Sequence, residues 1–173
     1  MIYQVVYKLC SYKTRAKLLR KKGVNIGNNS EIYPDVIFGS EPYLISIGNN
    51  VRITSGVKLI THDGGLWVLR NNGKLKNSDK FGKIRIGSNV HIGINSIIMP
   101  GVDIGDNCII GCGAVVTKNV PSNSVAVGVP ARVIESIDEY YNKVNKDCVY
   151  TKHMNYSEKK EYILNNVFDK KQD

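Results

Sequence analysis

A repeat of six residues limits the folds open to this chain more than any other feature. From Ile86 to Pro121 the sequence places a β-branched apolar residue at every sixth position: Ile86, Ile92, Ile98, Ile104, Ile110 and Val116. Four positions after each of these stands a small or medium-sized residue: Val90, Ser96, Val102, Cys108, Ala114 and Val120. Neither the period of two of an ordinary strand nor the 3.6 of an amphipathic helix fits this spacing. The pattern therefore predicts a repeat architecture.

The residue types within each unit indicate very short strands joined by sharp turns. Branched side chains suit extended backbone and inward packing, whereas Gly and Asn supply the turn angles that other residues resist. A chain that turns every six residues should coil into a prism, with core side chains stacked about 4.8 Å apart. The repeat begins near Val24, and at Ile47 it restarts three residues out of phase. Turns are expected at Asn49, Asn50, Asn89 and Asn107.

Three stretches of the repeat carry a family resemblance. The recurring Ile-Gly-x-x-Val/Ser/Ala unit, the run from Ile86 to Gly101 and the ending Val127-Gly-Val-Pro-Ala-Arg132 resemble the hexapeptide-repeat acyltransferases. The nearest type is the sugar O-acetyltransferases that act on galactosides, maltose and capsular polysaccharide. The resemblance spans Val24 to Val133, about 110 residues. It implies a mainly β fold, a left-handed parallel β-helix with three hexapeptides per coil.

The rest of the chain is expected to flank or interrupt this β-helix within a single domain. We predict a helix or helical hairpin in residues 2–22, ending at Gly23. A helix that covers the open end of the coil is expected at Glu135–Lys146, and a second one should begin near Ser157. Between these flanking segments, the six-residue period is interrupted for about twenty residues before Lys83. The expected segments are 1–23 (N-terminal helical), 24–133 (β-helix with an extruded loop at 62–83) and 134–173 (C-terminal helical).

The net charge of +9 has a local origin, because seven Lys and Arg residues lie between Lys8 and Lys22, ahead of the first acidic residue, Glu31. A solvated helix face, contact with an anionic membrane surface and a nucleic-acid patch remain open, although no aromatic-interleaved motif supports nucleic acid. No segment approaches the roughly 20 apolar residues of a membrane span. The N-terminus does not read as a signal peptide, so the cytoplasm is the expected compartment.

The four cysteines form neither a metal knuckle nor a disulfide framework. Cys108 occupies an inward repeat position and is expected to behave as a small buried hydrophobe. A zinc site of the carbonic anhydrase type found on some hexapeptide proteins needs three clustered histidines, which this spacing disfavours. No metal is therefore expected.

The chain has three histidines, so candidates for a histidine base can be considered one by one. An alcohol must lose its proton to attack an acyl group, and neutral imidazole suits that task. In the resembled family a histidine acts as general base at the end of a coil, where the large loop departs. Thr61-His62-Asp63-Gly64 occupies that position, so the resemblance implies His62 as the base. His91 stands where the family often carries tryptophan and its role is open, while His153 reads as a solvated side chain.

Two neighbours of His62 are candidates for the acceptor site. Asp63 is a carboxylate that could orient the imidazole ring, although adjacent residues of an extended chain point apart. Trp67 offers an apolar ring and an N–H donor to a sugar, and covering the core is an equal alternative.

The resemblance also implies acetyl-coenzyme A as the donor and a homotrimer whose donor groove lies between subunits. Backbone amides of the C-terminal coils would contact the pantetheine arm, with the Ile94 amide as the oxyanion donor. Glycines would allow close approach, and Lys118 and Arg132 suit the phosphates. The matching positions are Gly93, Ile94, Cys112, Gly113, Thr117, Lys118 and Arg132.

The sequence thus predicts direct acetyl transfer from acetyl-coenzyme A to a hydroxyl of a sugar or surface-polysaccharide precursor. One alternative keeps fold and donor but changes the acceptor to a sugar amine, serine or a xenobiotic. Another is a non-catalytic β-helical scaffold.

Overall fold

The computed structural model describes residues 10–168. Residues up to Tyr140 form one compact unit, and residues from Tyr141 onward form another. The organisation of 1–173 as a single domain stays a prediction. Within residues 10–168, every helix is too short or too polar to cross a membrane.

Short strands carry the repeat and wind it into a three-sided coil. The strands are β1 (Asn25–Ile26), β2 (Glu31–Ile32), β3 (Ile37–Phe38), β4 (Ile45–Ile47), β5 (Arg52–Ile53), β6 (Lys58–Leu59), β7 (Ile84–Ile86), β8 (Val90–Ile92), β9 (Ile97–Ile98), β10 (Asp103–Ile104), β11 (Cys108–Ile110), β12 (Val115–Val116), β13 (Ser124–Val127) and β14 (Arg132–Ser136). They form a first face in the order β1-β4-β7-β10, a second in the order β14-β13-β11-β8-β5-β2 and a third in the order β12-β9-β6-β3. From β1 to β12 the chain visits the three faces in turn, as the family resemblance implies.

The core is a set of ladders made by the branched residues of the repeat. On the second face, parallel pairing stacks Ile32, Ile53, Ile92 and Ile110 on successive coils, and each is 0% exposed. Burying one such side chain contributes about 1.5–3 kcal/mol. Cys108 is buried among them, as expected.

A 3₁₀ helix at Pro42–Leu44, between β3 and β4, explains the slip in the repeat. The turn absorbs the extra residues, so Ile47 pairs with Ile26 and the ladder continues without a gap. Three of the four asparagines expected at turns do adopt positive φ, at 54° for Asn50, 57° for Asn89 and 55° for Asn107. Asn49 instead accepts a hydrogen bond from the Asn28 amide at 2.7 Å.

Helix α1 (Tyr12–Lys21) covers the N-terminal end of the coil. The helix falls within the predicted 2–22 segment, of which residues 2–9 lie outside the described residues. It ends before Gly23, whose φ of +93° suits glycine. Two of the basic residues between Lys8 and Lys22 form hydrogen bonds with the first coil. Arg15 donates to the Ile32 carbonyl at 2.6 Å, and Arg20 donates to the Ile26 carbonyl at 3.0 Å.

The interruption of the repeat lies between β6 and β7 and contains one short helix, α2 (Leu66–Asn71). Despite about two dozen intervening residues, the coil resumes in register, since Ile45 of β4 pairs with Ile84 of β7. The insertion is therefore an outgrowth of a continuous prism.

The C-terminal segment begins differently from the prediction. A helix from Glu135 was expected, but β14 runs to Ser136 and pairs antiparallel with β13, with Val125 opposite Glu135. The free edge of β13 offers backbone partners that a helix would leave unused. Helix α3 (Ile137–Val144) follows, and helix α4 (Tyr156–Ile163) confirms the one expected near Ser157.

Candidate active site

His62 lies three residues after the end of the third-face strand β6, where the insertion leaves the coil. We call the paired backbone segments 61–63 and 80–82 at this point the neck of the insertion. The two sides of the neck are tied together: His62 forms an antiparallel bridge with Phe81, and the Gly82 amide donates to the Thr61 carbonyl at 2.9 Å. One residue further, the Asp63 amide donates to the Lys80 carbonyl at 2.9 Å. The backbone that carries the predicted base is therefore fixed from both sides.

The side chain of His62 is oriented by Glu41 from the preceding coil. His62 Nδ1 lies 3.2 Å from Glu41 Oε2 and 3.3 Å from Ser40 Oγ. The contact with a carboxylate favours the tautomer with the proton on Nδ1, which leaves Nε2 as the basic atom of the ring. With 42% of its side chain exposed, the imidazole is accessible, whereas the Glu41 side chain is 14% exposed.

Glu41 is itself held by a buried hydroxyl. Thr61 Oγ1 donates to Glu41 Oε2 at 2.6 Å. This hydrogen bond is the main reason that the pKa of the Glu41 carboxyl lies below its ordinary value; partial burial opposes the shift, and the contact with His62 supports it. Glu41 therefore remains a carboxylate at neutral pH, ready to stabilise a protonated imidazole.

A cleft of about 360 Å³ surrounds these groups. Trp67 of α2 lines it together with Phe81, so an apolar platform lies beside the polar centre. Asp63 also lines the cleft, but its Oδ1 accepts from the Gly65 amide at 2.9 Å and its Oδ2 lies 3.7 Å from Lys80 Nζ. The carboxylate at the His62 ring is thus that of Glu41 and not that of Asp63.

Wider grooves of about 480 and 690 Å³ lie on other faces of the prism, and His62 lines neither of them. The first includes His91, whose pKa is lowered by burial and, to a smaller extent, by the charge of Arg52. The smaller cleft is the candidate active site, because it combines an accessible imidazole with an orienting carboxylate.

Four of the expected donor positions lie after strands of the second face, at a different corner of the prism from His62: Gly93, Ile94, Cys112 and Gly113. Ile94 and Cys112 occupy equivalent turns of neighbouring coils, joined by a hydrogen bond from the Gly113 amide to the Ile94 carbonyl at 2.7 Å. Within residues 10–168, the amides of Ile94 and Cys112 donate no hydrogen bond, so both can serve a ligand. The space around Gly113 is open, whereas a side chain at Gly93 would collide with the Cys112 backbone.

The other expected donor residues, Thr117, Lys118 and Arg132, are exposed on the C-terminal coils. The residues present therefore include the backbone donors and the cations that a phosphate-bearing donor needs. None of the expected donor residues lines the His62 cleft. Within one chain, base and donor corner are separate. No three His, Cys, Asp or Glu side chains gather as a metal site anywhere in residues 10–168.

Sequence reasoning missed Glu41 and Thr61, although a signal for Glu41 was present. Phe38 pairs with Leu59, so the first coil is 21 residues long. The same offset places Glu41 beneath His62. The irregular turn at Pro42–Leu44 hid this relation, because a regular coil of three hexapeptides would have offered Leu44 instead.

Comparison with known proteins identifies relatives over most of the chain. A family model described as bacterial transferase hexapeptide (six repeats) matches residues 83–118. The chain is 54% identical over 149 residues to Protein CapG of Staphylococcus aureus, covering 85% of this chain and 86% of the relative. It is 37% identical over 153 residues to galactoside O-acetyltransferase of Escherichia coli (strain K12), covering 75% and 73%. A solved galactoside acetyltransferase in complex with coenzyme A matches with a TM-score of 0.59 and 29% identity, covering 80% and 79%.

The chain belongs to the hexapeptide-repeat transferase family. Its sheets form a left-handed parallel β-helix, as the resemblance implied. The expected enzyme class and donor, an acetyltransferase that uses acetyl-coenzyme A, are confirmed as well.

Proposed function

We propose that this enzyme transfers an acetyl group directly from acetyl-coenzyme A to a hydroxyl of a sugar or surface-polysaccharide precursor, with His62 as general base. The relative named galactoside O-acetyltransferase supports the sugar acceptor and the oxygen linkage, and the solved galactoside acetyltransferase supports the sugar acceptor. The observation that carries the role of His62 is the contact of its Nδ1 with Glu41 Oε2 at 3.2 Å.

In this mechanism Nε2 of His62 takes the proton as the acceptor oxygen attacks the thioester carbonyl. The charge of Glu41 stabilises the imidazolium that forms. The tetrahedral oxyanion accepts a hydrogen bond from the Ile94 amide, which donates none within the described residues. The intermediate collapses with loss of the coenzyme A thiolate, so no covalent acyl-enzyme is needed.

The acceptor would lie in the cleft beside His62, with its ring against Trp67. Trp67 is 64% exposed, and its indole combines a large apolar face with an N–H donor. Asp63 and Lys80 supply a carboxylate and an ammonium for hydroxyl groups at the same cleft. Both signs of charge are present, which suits a neutral sugar better than a highly charged one.

The separation of His62 from the corner at Ile94 and Cys112 within one protomer supports a homotrimer, the assembly that the family resemblance implies. One protomer would supply His62 and its insertion, and its neighbour would supply the corner at Ile94 and Cys112. Lys118 and Arg132 would hold the phosphates of the donor. A monomeric protein with full activity would contradict this arrangement, and sedimentation of the purified enzyme tests it.

The basic N-terminal segment offers a further contact surface, separate from the cleft at His62. Lys13, Lys17 and Lys21 are exposed on α1, where they could meet an anionic membrane surface. Nucleic acid remains disfavoured. The cytoplasm is the expected compartment because it supplies acetyl-coenzyme A.

The central experiment replaces His62 by Ala and follows release of free thiol from acetyl-coenzyme A in the presence of sugar acceptors. We expect kcat to fall by about 10²–10⁴-fold, with binding of coenzyme A retained. His153→Ala is the matched control, because this exposed histidine lies in the other compact unit. Undiminished transfer by His62→Ala would overturn the assignment.

The same assay separates the alternatives. An ester product is cleaved by mild alkali and an amide product is not, which distinguishes a hydroxyl acceptor from a sugar amine. Serine and xenobiotics enter the screen as further acceptors. A protein that releases no thiol with any acceptor and does not bind coenzyme A would favour the scaffold.

A further inference from the structure

Thr61 places a buried hydroxyl next to the proposed base. Its side chain is 0% exposed, and Oγ1 donates to Glu41 Oε2 at 2.6 Å. The same oxygen, Oε2, receives the contact from His62 Nδ1 at 3.2 Å. One carboxylate oxygen therefore joins the hydroxyl of Thr61 to the imidazole of His62.

The surroundings of Thr61 keep this hydroxyl in place. A side chain at Gly39, on the preceding coil, would overlap Thr61 Oγ1, so the absence of a Cβ at Gly39 leaves room for the hydroxyl. The Gly39 amide donates to the Leu59 carbonyl at 2.9 Å, and the Gly82 amide donates to the Thr61 carbonyl at 2.9 Å. Thr61 is thus held by the neck on one side and by the first coil on the other.

We propose that Thr61 is a positioning residue for acetyl transfer: its hydroxyl fixes Glu41 Oε2 and so sets the orientation of the His62 ring. The inference rests on the proposed role of His62 as base. Glu41 Oε2 accepts from the Thr61 hydroxyl at 2.6 Å and lies 3.2 Å from His62 Nδ1, so the hydroxyl holds the atom that the imidazole contacts. A base held in one orientation presents Nε2 to the acceptor in the geometry that proton transfer needs.

The test compares Thr61→Val, which keeps the shape and removes the hydroxyl, with Thr61→Ser, which keeps the hydroxyl. In Thr61→Val the carboxylate can turn and the imidazole loses its fixed orientation, so we expect kcat to fall about tenfold. The KM for acetyl-coenzyme A should stay unchanged, and Thr61→Ser should match the wild type.

A second readout does not depend on activity. With three histidines in the chain, ¹⁵N spectra of the imidazole nitrogens can be assigned to His62 through the His62→Ala variant. In the wild type and in Thr61→Ser the His62 signals should show the tautomer with the proton on Nδ1, and this preference should be lost in Thr61→Val. The same tautomer and the same kcat in all three proteins would overturn the role of Thr61. Full activity of His62→Ala would instead overturn the proposed function and leave the tautomer result standing.

Gly39→Ala keeps the inference testable if Thr61→Val does not fold. The added methyl displaces the Thr61 hydroxyl from its present position and leaves the residues of the neck unchanged in sequence. We expect the same fall in kcat and the same loss of the Nδ1–H tautomer of His62 as in Thr61→Val. A kcat and a tautomer that match the wild type would count against the inference.

Discussion

Replacing Arg15 by Met should destabilise the protein strongly, because this arginine covers the open end of the coil. Within residues 10–168, β2 is the edge strand of its sheet, and no described coil precedes it to pair with the Ile32 carbonyl. Arg15 is 3% exposed and donates to that carbonyl at 2.6 Å and to the Cys10 carbonyl at 2.7 Å. Hydrogen bonds from a charged donor contribute about 1.5–3 kcal/mol each, so losing two costs about 3–6 kcal/mol. Met keeps the length and apolar character of the stem.

The measurement is urea unfolding followed by far-UV circular dichroism at one fixed protein concentration, since assembly adds to apparent stability. The midpoint for Arg15→Met should fall by more than about 1 M, given the usual slopes for small proteins. Arg20→Met is the matched control, because Arg20 makes similar bonds to Ile26 and Gly27 but is exposed, and water can replace it. Equal losses in the two variants would refute the reasoning that burial makes the difference.

Three further predictions concern the core, the second face and the cleft. Ile92→Ala removes a side chain that is 0% exposed and should cost about 2–5 kcal/mol in urea unfolding, whereas Ile94→Ala, at a position 49% exposed, should cost far less; equal costs would argue against the ladder. Burial and the charge of Arg52 lower the pKa of His91 below its ordinary value of 6.5, so the unfolded chain binds the proton more readily and stability should rise with pH through that range. His91→Gln should flatten this slope, and an unchanged slope would exclude His91 as its source. Trp67→Ala should raise the acceptor KM and leave the acetyl-coenzyme A KM unchanged; a change in the donor KM alone would place Trp67 elsewhere.

Much of the prism could be read from the sequence because one rule governs each coil. Every branched residue in the repeat must point inward, and a shift by one position would expose it. The positions of Ile92 and Ile110 in one ladder follow from spacing alone. Even the slip before Ile47 was visible as a change of phase, although its cause, the 3₁₀ turn, was not.

The parts that escaped prediction depend on contacts between coils or on ambiguous patterns. The run from Val133 to Ile137 is apolar enough to suit a helix or a strand. It forms a strand because the free edge of β13 supplies backbone hydrogen-bond partners for it. Glu41 carries no local mark of function, because its partner His62 is supplied by the next coil. A histidine base follows from a family motif, whereas the carboxylate that orients it follows only from the length of one particular coil.

The closed neck of the insertion has a consequence for how such enzymes diversify. The bridge from His62 to Phe81 and the bond from Gly82 to Thr61 seal the insertion at its root, and the coil resumes in register beyond it. Residues between the two ends of the neck can change in length and composition without disturbing a single rung of the scaffold. The residues that set acceptor preference can then change independently of the residues that determine the fold. An insertion transplanted between relatives at this junction should carry its acceptor preference with it.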